Sequence, residues 1–108
     1  MPKIELLKGT LDMLILRTLT GGSMHGYAVA LRIREVTEDT LQIEEGSLYP
    51  ALHRMERRGW IRSRWGASEK NRRAKYYSLT ESGRLALQKE KKGWALLCEA
   101  IGQVLEKA

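Results

Sequence analysis

The 108 residues hold 19 Lys plus Arg against 13 Asp plus Glu, a formal charge of +6 and a pI near 9.7. A chain of this length is expected to form one domain with at most one appended element, and no stretch approaches the roughly 18–20 apolar residues of a membrane span. Cys98 is alone, which excludes an intrachain disulfide, and the short mixed stretch from Met1 to Leu7 shows no secretory signal, so the expected residence is cytoplasmic.

The positive charge is concentrated. Between His53 and Tyr76 stand nine cations, from Arg54 to Lys75, against only Glu56 and Glu69, so this window carries +7 and the rest of the chain −1. A solubility charge would be diffuse. A polyanion is the natural partner, and nucleic acid the commonest one. An anionic membrane surface fits less well, because the cations alternate with Trp60, Trp65, Tyr76 and Tyr77 in strand-like fashion and do not line one face of a helix.

In chain order, Gly9-Thr10 opens a helix through Leu11, Met13, Leu14, Ile15, Leu16 and Leu19 that ends at Gly21-Gly22. It is apolar on more than one side and is expected at the centre. Ser23 to Tyr27 leads into a second helix with Ala28, Leu31 and Ile33 as its apolar positions. Residues Thr37 to Glu44 read as a connector with room for a very short strand around Leu41 and Ile43.

The next helix is predicted from Ser47, as N-cap, to Arg58, with Gly59 as its stop. Pro50 lacks an amide donor and so argues against an earlier start. At about 100° per residue, Leu48, Ala51, Leu52 and Met55 share one side, while Pro50, His53, Arg54 and Arg57 share the other, with Ser47 and Tyr49 at its edges. One side suits a core. The other offers cations, hydroxyls and an aromatic ring, as a helix in a DNA groove requires, although taken alone it is also the ordinary solvated face of an amphipathic helix.

Trp60–Trp65 and Arg72–Leu79 read as strands around a polar loop, Gly66–Asn71, making a hairpin. Thr80 caps a last helix to about Lys107, roughly 40 Å long at 1.5 Å per residue. Leu87, Trp94, Leu97, Cys98, Ile101, Val104 and Leu105 fall on one stripe of it, interrupted by Glu90. About eighty residues cannot cover such a helix, so pairing with a second copy is expected, with folding back onto its own domain as the alternative. Cys98 in that stripe reads as a small buried hydrophobe.

The fold class expected is mainly α with a small β-hairpin. Residues 1–79 form a winged helix-turn-helix DNA-binding domain, and residues 80–108 a C-terminal dimerisation helix.

Four segments carry a family resemblance. They are Lys8-Gly-Thr-Leu-Asp-Met-Leu-Ile-Leu16, Met24-His-Gly-Tyr-Ala28, Glu45-Gly-Ser-Leu-Tyr-Pro through Gly59-Trp-Ile61, and Lys75-Tyr-Tyr-Ser-Leu-Thr-Glu-Ser-Gly-Arg84. In these the chain resembles the PadR family of bacterial transcriptional regulators, over Lys8 to about Leu87. The resemblance implies a homodimeric winged-helix repressor of double-stranded DNA, often relieved by a small molecule. It places Ser47, Tyr49, Pro50, His53 and Arg54 toward DNA, with His25 and Tyr27 at phosphates and Lys70, Arg72, Arg73 and Lys75 on the wing. Tyr77 and Leu79 go to packing. Arg57 joins Arg54 and His53 as a candidate for base edges from its place on the helix.

A single helix after the wing matches the short-tailed branch, in which Leu87, Trp94, Leu97, Ile101, Val104 and Leu105 would form the dimer interface. In some such relatives an aromatic residue of the last helix lines a pore and stacks flat drug-like compounds. Trp94 is placed to do this, or to serve simply as dimer core.

An enzyme is not expected, since His25 and His53 lack a neighbouring carboxylate or cysteine at working spacing and no glycine-rich phosphate loop follows a strand. One cysteine and two separated histidines make no metal set, and no cofactor is implied. The alternative function is a winged helix that binds RNA or a protein partner.

Overall fold

The computed structural model describes residues 9–67, 70 and 72–108. Lys8 of the first motif and loop positions 68, 69 and 71 lie outside the described residues. The elements are α1 (Thr10–Leu19), β1 (Met24–His25), α2 (Gly26–Val36), α3 (Glu45–Arg57), β2 (Ile61–Ala67), β3 (Arg73–Leu79) and α4 (Glu81–Lys107). This is a winged helix-turn-helix carrying a long C-terminal helix.

The core forms where the three-helix apolar stripes converge. Leu48, Leu52 and Met55 of α3 meet Ile15 and Leu16 of α1 and Val29 of α2, all at most 1% exposed. Ile61 and Tyr77 close it from the hairpin. The predicted inner side of α3 is thus the buried one, Leu48, Ala51, Leu52 and Met55.

Its start differs from expectation. α3 begins at Glu45, two residues before the predicted Ser47 cap, and Pro50 lies inside it. A proline removes only its own amide bond, here to the carbonyl of Gly46, and crowds only that carbonyl. A Cβ at Gly46 would meet nothing within 4 Å, so that turn is open to solvent. The amides of Ser47 and Leu48 meanwhile bond the Glu44 carbonyl at 3.0 and 2.9 Å and start the helix upstream of the proline. Gly59, at φ 78°, ends it, with Trp60 N–H bonding the Met55 carbonyl and Gly59 N–H the Glu56 carbonyl. That is the double bond pattern of a left-handed glycine stop.

The short strand is also elsewhere than expected. The connector after α2 contains none, and Met24–His25 instead pair antiparallel with Tyr77 and Tyr76 in a sheet ordered β1-β3-β2. The connector's polar groups reverse the chain. The Thr37 hydroxyl donates to the Ile33 carbonyl (2.9 Å) and accepts from Leu41 N–H (3.1 Å), and Arg34 Nε donates to Asp39 at 2.8 Å.

The hairpin runs from Ile61↔Leu79 to Ala67↔Arg73. At its base, Thr80 Oγ1 accepts from Gly83 N–H (3.0 Å) and donates to the Gly59 carbonyl (2.6 Å). One hydroxyl therefore caps α4 and fastens it to the end of α3.

α4 belongs to two environments. Leu87, expected in the dimer interface, is 6% exposed in the single chain and packs in the domain core. Its apolar partners sit within reach of the first turns of α4. Beyond Leu87 the core no longer covers the helix, and Gly93, Trp94 and Leu97 face the start of α1 across an open hollow. Trp94, Leu97, Ile101, Val104 and Leu105 are 40–80% exposed in the single chain. Cys98, read from the sequence as a small buried hydrophobe of this stripe, is exposed with it in the single chain. Folding back onto the domain is confined to the N-terminal part of α4.

Candidate nucleic-acid interface

α3 turns Gly46, Pro50, His53 and Arg57 outward, all exposed, around a broad open depression bordered by Pro50, His53, Glu56 and Arg57. Ser47 is exposed at one edge. Arg54 differs from its neighbours. Its guanidinium donates to Asp12 of α1 at 2.5 Å, with the aspartate side chain only 10% exposed. The spacing that put Arg54 on the outer side also puts it beside α1, and the buried carboxylate draws it there. Of the two arginines expected at base edges, Arg57 is the one left facing outward.

Tyr49 is half-buried. Its ring lies so close over Gly26 that a Cβ there would stand 3.0 Å from Tyr49 Cε1 and 3.2 Å from Leu52 Cδ1. The His-Gly-Tyr and Gly-Ser-Leu-Tyr-Pro segments are thus two sides of one contact. His25 caps α2, its Nδ1 accepting from Ala28 N–H at 3.2 Å, and its ring meets Tyr76 edge-on at 5.7 Å. These contacts give Tyr49 and His25 positions in the α2–α3 and α2–sheet seams. Tyr27, beside them, is 61% exposed.

Two carboxylates, Glu44 and Glu45, stand exposed at the α3 N-terminus. They oppose the binding of a phosphate there, although the first amides of the helix have no intrahelical acceptor.

On the wing, Lys70, Arg72 and Arg73 are exposed, whereas Lys75 is half-buried with Nζ 3.5 Å from Glu56. The same carboxylate accepts from Ser63 Oγ at 2.5 Å. Lys75 and Ser63 therefore join the wing to α3 and offset the one acid on the outer depression. Glu56 and the burial of the phenol both act on Tyr77. Burial, then the Glu56 charge and Tyr49, push its pKa above the usual 10.0.

Several groups of this surface were not singled out by sequence reasoning. Gly46 lies on the outer side of α3 in its first turn, where its missing side chain leaves backbone exposed. Arg62 and Arg64 are exposed on β2, and Arg58 lies over the Trp60 ring at 5.0 Å. Strand alternation could have placed Arg62 and Arg64 together; nothing local in the sequence pairs Asp12 with Arg54, forty-two residues away. Among the described residues no three His, Cys, Asp or Glu side chains are grouped to hold a metal, and no helix is long and apolar enough to cross a membrane.

Comparison with known proteins agrees with this architecture. The model of the transcriptional regulator PadR-like family matches residues 15–89. An uncharacterized protein of Lysinibacillus sphaericus is 30% identical over 106 residues, 98% of this chain and 97% of that one. A transcriptional regulator from Clostridium thermocellum superposes with a TM-score of 0.82 at 32% identity, covering 89% of this chain and 93% of that one. A PadR family transcriptional regulator from Eggerthella lenta gives 0.81 at 32% identity, covering 94% and 86%. With its order of helices, its basic wing and these relatives, the chain belongs to the PadR-like family, as a winged-helix DNA-binding transcriptional regulator and not an enzyme.

Proposed function

We propose that this regulator is a homodimeric repressor that reads a specific operator and releases it when a small aromatic molecule binds near Trp94. One observation carries the reading. Among the described residues the fold leaves unused the outer side of α3 with the wing, and the apolar stripe of α4 from Trp94 to Leu105. The first suits a groove and its flanking phosphates; the second suits a copy of itself.

In this reading residues 1–79 bind DNA and residues 80–108 pair the subunits. Pro50, His53 and Arg57, with Ser47, face base edges, where an arginine pairing with guanine contributes about 1–3 kcal/mol of discrimination. Arg54, Tyr49 and His25 hold α3 and α2 in position, and Tyr27 remains a phosphate contact at the start of α2. Lys70 and Arg72 neutralise phosphates from the wing that Arg73 shares, with Lys75 supporting them from the Glu56 pair. Trp94, Leu97, Ile101, Val104 and Leu105 form the dimer seam. A hollow between α1 and α4, bordered by Met13, Glu90, Gly93, Trp94 and Leu97, encloses about 150 Å³ in one chain. That is below the roughly 300 Å³ at which drug-sized sites begin, so a second copy would complete it. Acting in the cytoplasm needs nothing beyond these surfaces.

The test is a titration of the purified protein against intergenic duplex from upstream of its own gene, matched random duplex, and RNA, each at two salt concentrations. A specific dimer keeps its preference for the cognate duplex as salt rises, because phosphate contacts weaken while base contacts persist. Equal binding to all three that vanishes with salt refutes operator recognition. Preference for RNA favours the other use of a winged helix.

A further inference from the structure

β2 and β3 alternate, so Ile61, Ser63, Trp65 and Ala67 share one face of the hairpin with Leu79, Tyr77, Lys75 and Arg73. Ser63 and Lys75 both reach Glu56 of α3, which identifies this as the face that adjoins the recognition helix. Trp65 stands two residues farther out along the strand, about 7 Å at the usual rise per residue. It is 57% exposed and belongs to no part of the core. The Arg73 guanidinium lies 4.5 Å over its ring. Trp65, Gly66, Ala67 and Arg73 together border a shallow open depression.

An arginine on a strand near a hairpin tip ordinarily samples many rotamers. Contact with an indole face restricts those rotamers while using none of the guanidinium's N–H donors, which stay available to a ligand. A planar cation so held suits a narrow A·T minor groove, whose negative potential attracts arginine and whose floor lacks the guanine amino group.

On the reading of α3 as the major-groove helix, we infer that Arg73 is the wing's minor-groove reader and that Trp65 is the residue that positions it. The operator preference then includes an A·T run flanking the α3 contact. Trp65 acts through Arg73 and needs no base contact of its own.

The experiment uses the full-length chain and duplexes enriched from a random pool, with the flank then rebuilt in A·T, I·C or G·C pairs. An I·C pair presents the minor groove of A·T and the major groove of G·C. The wild-type protein binds the A·T and I·C flanks alike and the G·C flank about tenfold or more weakly, within the usual cost of a wrong base pair. Arg73→Lys keeps the charge and the salt dependence but loses the discrimination. Trp65→Ala does the same, and Trp65→Phe, which retains a ring, restores it. Circular dichroism and the unfolding midpoint check that each variant is folded; Arg73→Lys, at an exposed site, keeps the test decisive if Trp65→Ala is not.

Undiminished discrimination in Arg73→Lys or folded Trp65→Ala overturns the inference, as does an I·C flank that behaves like G·C. Enrichment of an α3 motif with no flank preference overturns it while sparing the operator reading. A pool with no enrichment at all overturns both.

Discussion

Replacing Gly83 by alanine tests why α4 leaves the hairpin where it does. A Cβ at Gly83 would stand 2.0 Å from the Trp60 carbonyl oxygen, 3.0 Å from its carbon and 2.8 Å from Leu79 Cδ1. The carbonyl cannot swing aside, because it accepts the Thr80 amide at 3.1 Å. Restoring ordinary contact at 3.4 Å requires a separation of roughly 1.4 Å, enough to break that bond and to disturb the Thr80 cap. Overpacking costs about 1–3 kcal/mol and loss of an N-cap about 1 kcal/mol, so about 3 kcal/mol is expected in all. Against a typical stability of about 5–15 kcal/mol this is severe, and it lowers the unfolding midpoint by roughly 12–24 °C.

Urea and thermal unfolding followed by circular dichroism measure it, at one fixed protein concentration because self-association shifts the midpoint. Gly46→Ala is the control. It is also helical, a Cβ there meets nothing within 4 Å, and it should be neutral or stabilising by up to about 1 kcal/mol. A Gly83→Ala protein within about 0.5 kcal/mol of wild type, beyond ordinary mutational scatter, refutes the steric argument.

Asp12→Ala and Arg54→Ala should show a coupling of about 1–2 kcal/mol in a double-mutant cycle of unfolding free energies, less than a fully buried pair because Arg54 keeps some solvent; additive effects would mean the contact does no work. The proposed dimer predicts that Ile101→Asp sediments as a monomer with the helix content of the domain intact, since a lone carboxylate in an apolar seam is costly; a sedimentation coefficient equal to that of a dimeric wild type removes Ile101 from the proposed seam. Tyr77 bears on alkaline stability. Its folded pKa lies above the unfolded 10.0, so its contribution is complete below pH 10 and is lost as pH rises through the folded value. Tyr77→Phe should therefore lose less stability than wild type between pH 9 and 11 in parallel denaturant titrations; equal losses would show that the phenol does not ionise differently on folding.

The inner side of α3 was legible because Leu48, Ala51, Leu52 and Met55 repeat at helical spacing, and a helix with that stripe has one side to bury. The hairpin and the Thr80 cap were legible for the same kind of local reason, strand alternation in one case and a hydroxyl three residues before an open amide in the other. The start of α3 is not legible from Pro50, because a proline removes one bond and crowds one carbonyl, here that of an open glycine, and so leaves the upstream turn free to form.

Arg54 and Arg57 are indistinguishable in charge and lie on the same outer side. Only the arrival of Asp12 from α1 turns the first inward and leaves the second outward. Leu87 and Leu97 occupy one stripe of one helix, yet the core covers only the first and leaves the second half-exposed at the rim of the hollow beside α1. Met24–His25 become a strand because β3 has a free edge within reach, and the two residues carry no strand pattern of their own. Periodicity, caps and the clustered charge act over a few residues, so the chain's order of letters determined the elements, the basic wing and the two-sided α3. Which cation faces outward, which leucine is buried and which short segment joins the sheet depend on groups far apart in sequence, and only their packing in three dimensions decided them.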